Sequence, residues 1–147
     1  MMRRIKEREA MNAKTVNAWK LAQRIGEVVE LGDEGFTLDP TTFEFPFFGG
    51  NEYVVSIRGH EGRFHWPMNF TDIYRWLCVN VQGLHEDGRY VGGWLDAGYS
   101  VYVLDISTIV IGLENALVFA VENGQDAIYN PAESRPLYIN DLVRRVA

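Results

Sequence analysis

The sequence predicts an α+β fold: one domain with a mostly antiparallel sheet, helices packed on one face of it, and an additional N-terminal helix. The prediction rests chiefly on residues 89–130, RYVGGWLDAGYSVYVLDISTIVIGLENALVFAVENGQDAIYN. Strands are expected either side of Asp96-Ala97-Gly98, a turn with hairpin chemistry. A helix follows at 113–122, where Leu113, Ala116, Leu117, Ala120 and Val121 recur at i, i+3, i+4, i+7 and i+8. Asn123-Gly124 then stops it, with glycine suited to the left-handed position after a helix. Strands joined by connections this short are antiparallel neighbours. A length of 147 residues with 47% hydrophobic content fits one domain able to bury a core.

The remaining elements follow in chain order. Residues 1–11 form a basic extension, frayed or disordered, and the domain proper covers 12–147. A helix is expected over 12–30, with Val16, Trp19, Ile25 and Val28 on its apolar stripe and Leu31-Gly32-Asp33 as its stop. GFTLD at 35–39 is a short strand, Asp39-Pro40 a turn, and 51–57 a strand around Val54-Val55. Between them FEFPFFGG places four Phe around Pro46, which argues against a central strand. It reads as an aromatic loop and the best candidate for an exposed apolar patch.

Asn69 caps a helix over 69–82 whose buried face is Ile73, Trp76, Leu77, Val81 and Leu84. Glu86-Asp87-Gly88 is a turn, and strands are expected at 89–95 and 100–104. Further short strands are expected at 126–129 and 136–139, with a helical or frayed tail. The order is therefore α-β-β-α-β-β-α-β.

Charge is unevenly distributed. Residues 1–24 carry +5 and residues 25–147 carry −11, within a net charge of −6. An acidic body repels phosphate, so nucleic acid is an unfavoured partner and a nucleic-acid mimic is a lesser alternative. No run approaches the ~18 apolar residues a membrane span needs. A lone cysteine, Cys78, allows neither an internal disulfide nor a cysteine zinc site, which suits a cytoplasmic setting. Its place in Trp76-Leu77-Cys78-Val79 predicts a buried small hydrophobe.

No catalytic pattern emerges. His60 and His65 are five apart, not the four of HExxH, and His85 is the only other histidine. Ser56, Ser100, Ser107 and Ser134 lie in no GxSxG elbow, and no phosphate-binding glycine loop occurs. Asp96, Asp105 and Asp126, at element ends, could pair as carboxylates for acid–base work, but Asp105 reads rather as a cap or turn former. No catalytic residue, metal ligand or cofactor is assigned. The recognition candidates are instead Phe45, Phe47 and Phe48 in the aromatic loop, then Arg89, Trp94 and Asp96 beside Gly92-Gly93. Trp and Arg dominate binding energy at protein interfaces, and paired glycines permit a bulge or close backbone approach. Gln125 joins them, because the helix stop explains Asn123 and not Gln125.

GFTLDPTT (35–42), EYVVSIRG (52–59), YVGGWLD (90–96), VYVLDIS (101–107) and ENGQDAIYN (122–130) together resemble small proteins of actinobacterial phages and related mobile elements. Phe43 and the FEFPFFGG insert depart from the glycine that commonly follows DPTT there. The exclusive use of Arg after Lys20 fits a GC-rich genome. The resemblance implies a cytoplasmic phage accessory protein and brings no activity or site residues. The expected function is a non-enzymatic module that binds a host or phage protein, with homodimerisation through the N-terminal helix as a further expectation. The alternatives are a small enzyme with an unrecognised site and a nucleic-acid binder.

Overall fold

In the computed structural model, which describes residues 15–30 and 35–146, every strand pairing is antiparallel and the sheet is curled. Helix α1 spans Ala18–Glu30. Strands β1 (Gly35–Leu38), β2 (Glu52–Ser56) and β3 (Gly62–His65) precede helix α2 (Phe70–Asn80) and a 3-10 turn at Val81–Leu84. The long hairpin β4 (Tyr90–Asp96) and β5 (Val101–Ile111) leads to α3 (Leu113–Glu122), β6 (Ala127–Asn130), β7 (Arg135–Tyr138) and α4 (Ile139–Val146). The strand order is β1-β4-β5-β2-β6-β7, with β3 also on β5. The α+β class, the antiparallel sheet and the N-terminal helix are as the sequence predicts. The expected extension at 1–11, the first residues of the 12–30 helix and its stop at 31–33 lie outside the described residues.

Strand β5 organises the sheet. One edge pairs with β4 from Val101 to Ser107. The other edge takes β3 at Val101–Leu104 and β2 at Ser107–Ile111, so two short strands share one long one. This corrects two expectations. The strand does not end at Leu104, and Asp105 is neither a cap nor a turn former: it sits in mid-strand opposite Gly92. β3 exists because β5 runs on past β2 and offers an edge whose backbone groups need partners. The hairpin turn is also longer than Asp96-Ala97-Gly98. It spans residues 97–100, with Tyr99 N–H donating to Asp96 O and Ser100 in the left-handed region at φ 49°.

Alternation along β5 sorts the two faces. Tyr102, Leu104 and Ile106 point to one side, where they pack with Leu21, Ile25 and Val29 of α1 and Ile73, Trp76 and Leu77 of α2. Val55 and Val110 keep the same side and meet Ala116 and Ala120 of α3 with Ile128 of β6. Three helices thus cover one face. The other, here the open face, carries Tyr90, Trp94 and Asp96 of β4 and Val103, Asp105, Ser107 and Ile109 of β5.

Helix ends follow local chemistry. Residues 15–17 are not helical, and α1 begins at Ala18, where Asn17 Oδ1 accepts the Lys20 N–H at 3.0 Å. α2 begins after Asn69, whose Oδ1 accepts the Asp72 N–H at 2.9 Å. Asn69→Ala is expected to cost about 1 kcal/mol, read as a lower urea midpoint at unchanged slope. Cys78 corrects another expectation, since it is exposed. A helix packed on one face does not bury four consecutive residues: α2 turns Ile73, Trp76 and Leu77 inward, which leaves Cys78 and Val79 facing out. On α3 the same geometry buries Ala116 and Ala120 and leaves Leu113 and Val121 exposed, contrary to the full apolar stripe expected.

Candidate functional site

The chain must cross from β1, beyond β4, to β2, beyond β5. Residues 39–51 make that crossing, and they contain the aromatic loop. Its start is pinned by Asp39, whose Oδ1 accepts from Thr41 N, Thr41 Oγ1 and Thr42 N at 2.8, 2.7 and 3.1 Å. Phe43, at φ 63°, turns into the helix-side core. Arg24 Nε of α1 donates to Phe43 O at 3.0 Å, and its guanidinium lies 5.7 Å from the Phe45 ring centroid. At the far end Gly49 N–H donates to Glu52 Oε1 at 3.0 Å.

Held at both ends, the loop presents its rings outward. Phe47 is 95% exposed and Phe45 50%, while Phe48 is half-buried. Of the three Phe candidates, two are therefore displayed and one is not. The Phe45–Phe47 segment and the end of the sheet border an open surface cleft of about 440 Å³, lined also by Tyr90, Ile109, Asp39, Glu44 and Glu52. Tyr90 stands directly across from Ser107, which makes Ile109 its diagonal neighbour. Burial, and then the charges of Asp39 and Glu52, hold the Tyr90 phenol above its usual pKa.

Trp94 lies further along the open face, 41% exposed, directly across from Val103. Asp96 shares that face and meets Arg63 Nη2 of β3 at 3.7 Å. Arg89 does not join them. It precedes β4 and pairs with Glu86 at 2.9 Å in the preceding turn. Gln125 has a structural role that the sequence did not reveal: its Nε2 donates to Asn123 O at 3.2 Å while its N–H closes on Ala120 O, finishing α3. Gly92-Gly93 is not a bulge, since the β4–β5 register is continuous through it. A Cβ on Gly92 would strike Asp105 Oδ1, and one on Gly93 would strike the Phe36 ring.

Asp105 is the residue whose role the sequence conceals. It is 8% exposed at the centre of the open face, and its Oδ2 accepts from Ser56 Oγ at 2.6 Å. Burial raises its pKa, the Ser56 hydroxyl opposes this, and the charge of Glu61 adds to the rise. Ser107 Oγ, buried close by, has no hydrogen-bond partner among the described residues. The available signal was an acid inside a long β-branched run, set opposite paired glycines. No imidazole completes the pair: His60 Nδ1 is hydrogen-bonded to Asn80 Oδ1 at 2.9 Å, and His60 O accepts from Trp76 Nε1. None of Ser56, Asp105 and Ser107 lines the 440 Å³ cleft.

His65 ends β3 opposite Val101, and His85 follows the 3-10 turn. Among the described residues no three His, Cys, Asp or Glu side chains group as metal ligands would, and no helix is long and apolar enough to cross a membrane. No family model, curated protein or solved structure matches the chain.

Proposed function

We propose that this chain is a non-enzymatic protein-binding module, a phage accessory protein that engages a host or phage protein through the Phe45–Phe47 segment and the adjoining open face. The single observation that carries the reading is a Phe ring at 95% exposure on a loop whose backbone is fixed at both ends. Burying such a ring against a partner is worth about 1.5–3 kcal/mol. A loop already in its displayed form loses little ordering entropy when it binds. Trp94 extends the same face with a second large ring. The phage setting is supported by the sequence blocks from GFTLDPTT to ENGQDAIYN.

The competing reading, a small enzyme, has Asp105 as its support, because perturbed carboxyls concentrate at active sites. Its burial beneath the face, outside the cleft, favours the binding reading.

The test is affinity capture from nuclease-treated actinobacterial lysate with the wild type and with F45S/F47S. Both rings are exposed, so the double variant is expected to unfold within about 0.5 kcal/mol per site of the wild type. Capture of a stoichiometric protein partner is expected to fall about tenfold or more in the variant, each 1.4 kcal/mol being tenfold. Equal capture by both proteins would refute the assignment.

A further inference from the structure

We propose that the partner segment seated at this surface carries an arginine whose guanidinium enters the cleft between the Phe45–Phe47 segment and the end of the sheet. The inference rests on the binding-module reading and adds the chemistry of the ligand. The cleft, about 440 Å³ and open to solvent, combines two features that suit one cation. The first is charge: Asp39, Glu44 and Glu52 line it, and among the described residues no Lys, Arg or His does, Arg24 lying over the Phe45 ring at its border. Among the described residues neither Glu44 nor Glu52 takes part in an ion pair. Glu52 is instead oriented by a neutral backbone N–H, which fixes its carboxylate without cancelling its charge.

The second feature is the rings of Phe45, Phe47 and Tyr90. A cation over an aromatic face is attracted to it, and a planar guanidinium can stack on a ring while forking onto a carboxylate. The chain holds its own precedent for this chemistry. Arg24 places its guanidinium over the Phe45 ring and donates to the carbonyl of Phe43 in the same loop. Next to burial, the charges of Asp39 and Glu52 hold the Tyr90 phenol above its usual pKa, consistent with negative potential on this wall. Phosphate is repelled by the same walls, so the occupant is a protein segment and not nucleic acid.

The test is an amide-shift titration of the ¹⁵N-labelled full chain with the peptide Ac-Leu-Arg-Leu-NH₂, and in parallel with the neutral citrulline peptide Ac-Leu-Cit-Leu-NH₂, at physiological ionic strength. The arginine peptide is expected to move the amides of residues 44–47, Glu52, Tyr90 and Ile109, and to bind about tenfold more tightly than its citrulline counterpart. The E44Q/E52Q variant is expected to remove that advantage and leave the citrulline response unchanged. Equal responses to the two peptides would overturn the arginine assignment. Shifts absent from the cleft, or spread over acidic turns such as 86–88, would overturn it as well. In each case lysate capture by F45S/F47S decides the underlying binding reading separately.

Discussion

Gly92→Ala is expected to destabilise the domain by about 1–3 kcal/mol, the usual cost of forcing an extra carbon into a packed interior. The sign is informative, because propensity alone predicts the opposite. An alanine in a strand interior is worth about 0.5–1 kcal/mol over glycine. Here the new methyl would meet Asp105 Oδ1, and Asp105 cannot swing aside without leaving its 2.6 Å bond to Ser56. Urea midpoints measure the loss. The cause is isolated by repeating the substitution in an Asp105→Ala background, where the penalty is expected to shrink or vanish. The same cost in both backgrounds would show that the Gly92–Asp105 contact is not responsible.

Stability is expected to decline as pH rises above the ordinary carboxylate range, and Asp105 is the reason. Burial and the charge of Glu61 raise its folded pKa above the unfolded value, and the Ser56 bond only partly offsets them. Between those two values the folded chain binds more protons than the unfolded chain, so each pH increment favours unfolding. The contribution is fully present below the unfolded value, about 3.8, and is lost by the time pH has passed the raised folded value. One proton limits the slope to about 1.4 kcal/mol per pH unit. Asp105→Asn keeps the shape and removes the titration. The wild-type urea midpoint is therefore expected to fall steadily relative to that of the D105N variant across the window. Parallel curves would show that Asp105 is ionised in the fold at no cost.

These two expectations come from the part of the fold that was hardest to read. Elements set by local chemistry were legible: α3 from its i, i+3, i+4 repeat, the start of α2 from Asn69, and the loop character of 43–50 from Pro46 and paired glycines. Asp105 was misread because Asp-Ile-Ser has the local appearance of a junction. What keeps it in a strand is tertiary: β4 supplies a residue without a side chain opposite it, and β2 supplies a hydroxyl. β3 was missed for a related reason. GRFH has little strand propensity of its own, and the segment pairs because β5 presents an edge beyond the end of β2. Cys78 was misplaced by reading four apolar neighbours as a run instead of projecting them around a helix.

The candidate site divides in the same way. The rings of the loop were visible in the sequence, although which would be displayed was not: Phe43 turns inward through a left-handed backbone, and Phe48 is half-buried. The acidic cleft was invisible, since Asp39, Glu44 and Glu52 join Tyr90 and Ile109 only through the β4–β5–β2 register. Gln125 looked unexplained because its partner is a backbone carbonyl.

The central claim is that the working surface is the aromatic loop with the open face of the sheet, and not the helical side. Hydroxyl-radical footprinting of the chain, free and in complex with its captured partner, tests it most directly. Protection of Phe45, Phe47 and Trp94 is expected, with the exposed Val118 and Val121 of α3 oxidised at the same rate in both states. Protection of Val118 and Val121 with Phe45, Phe47 and Trp94 unchanged would contradict it.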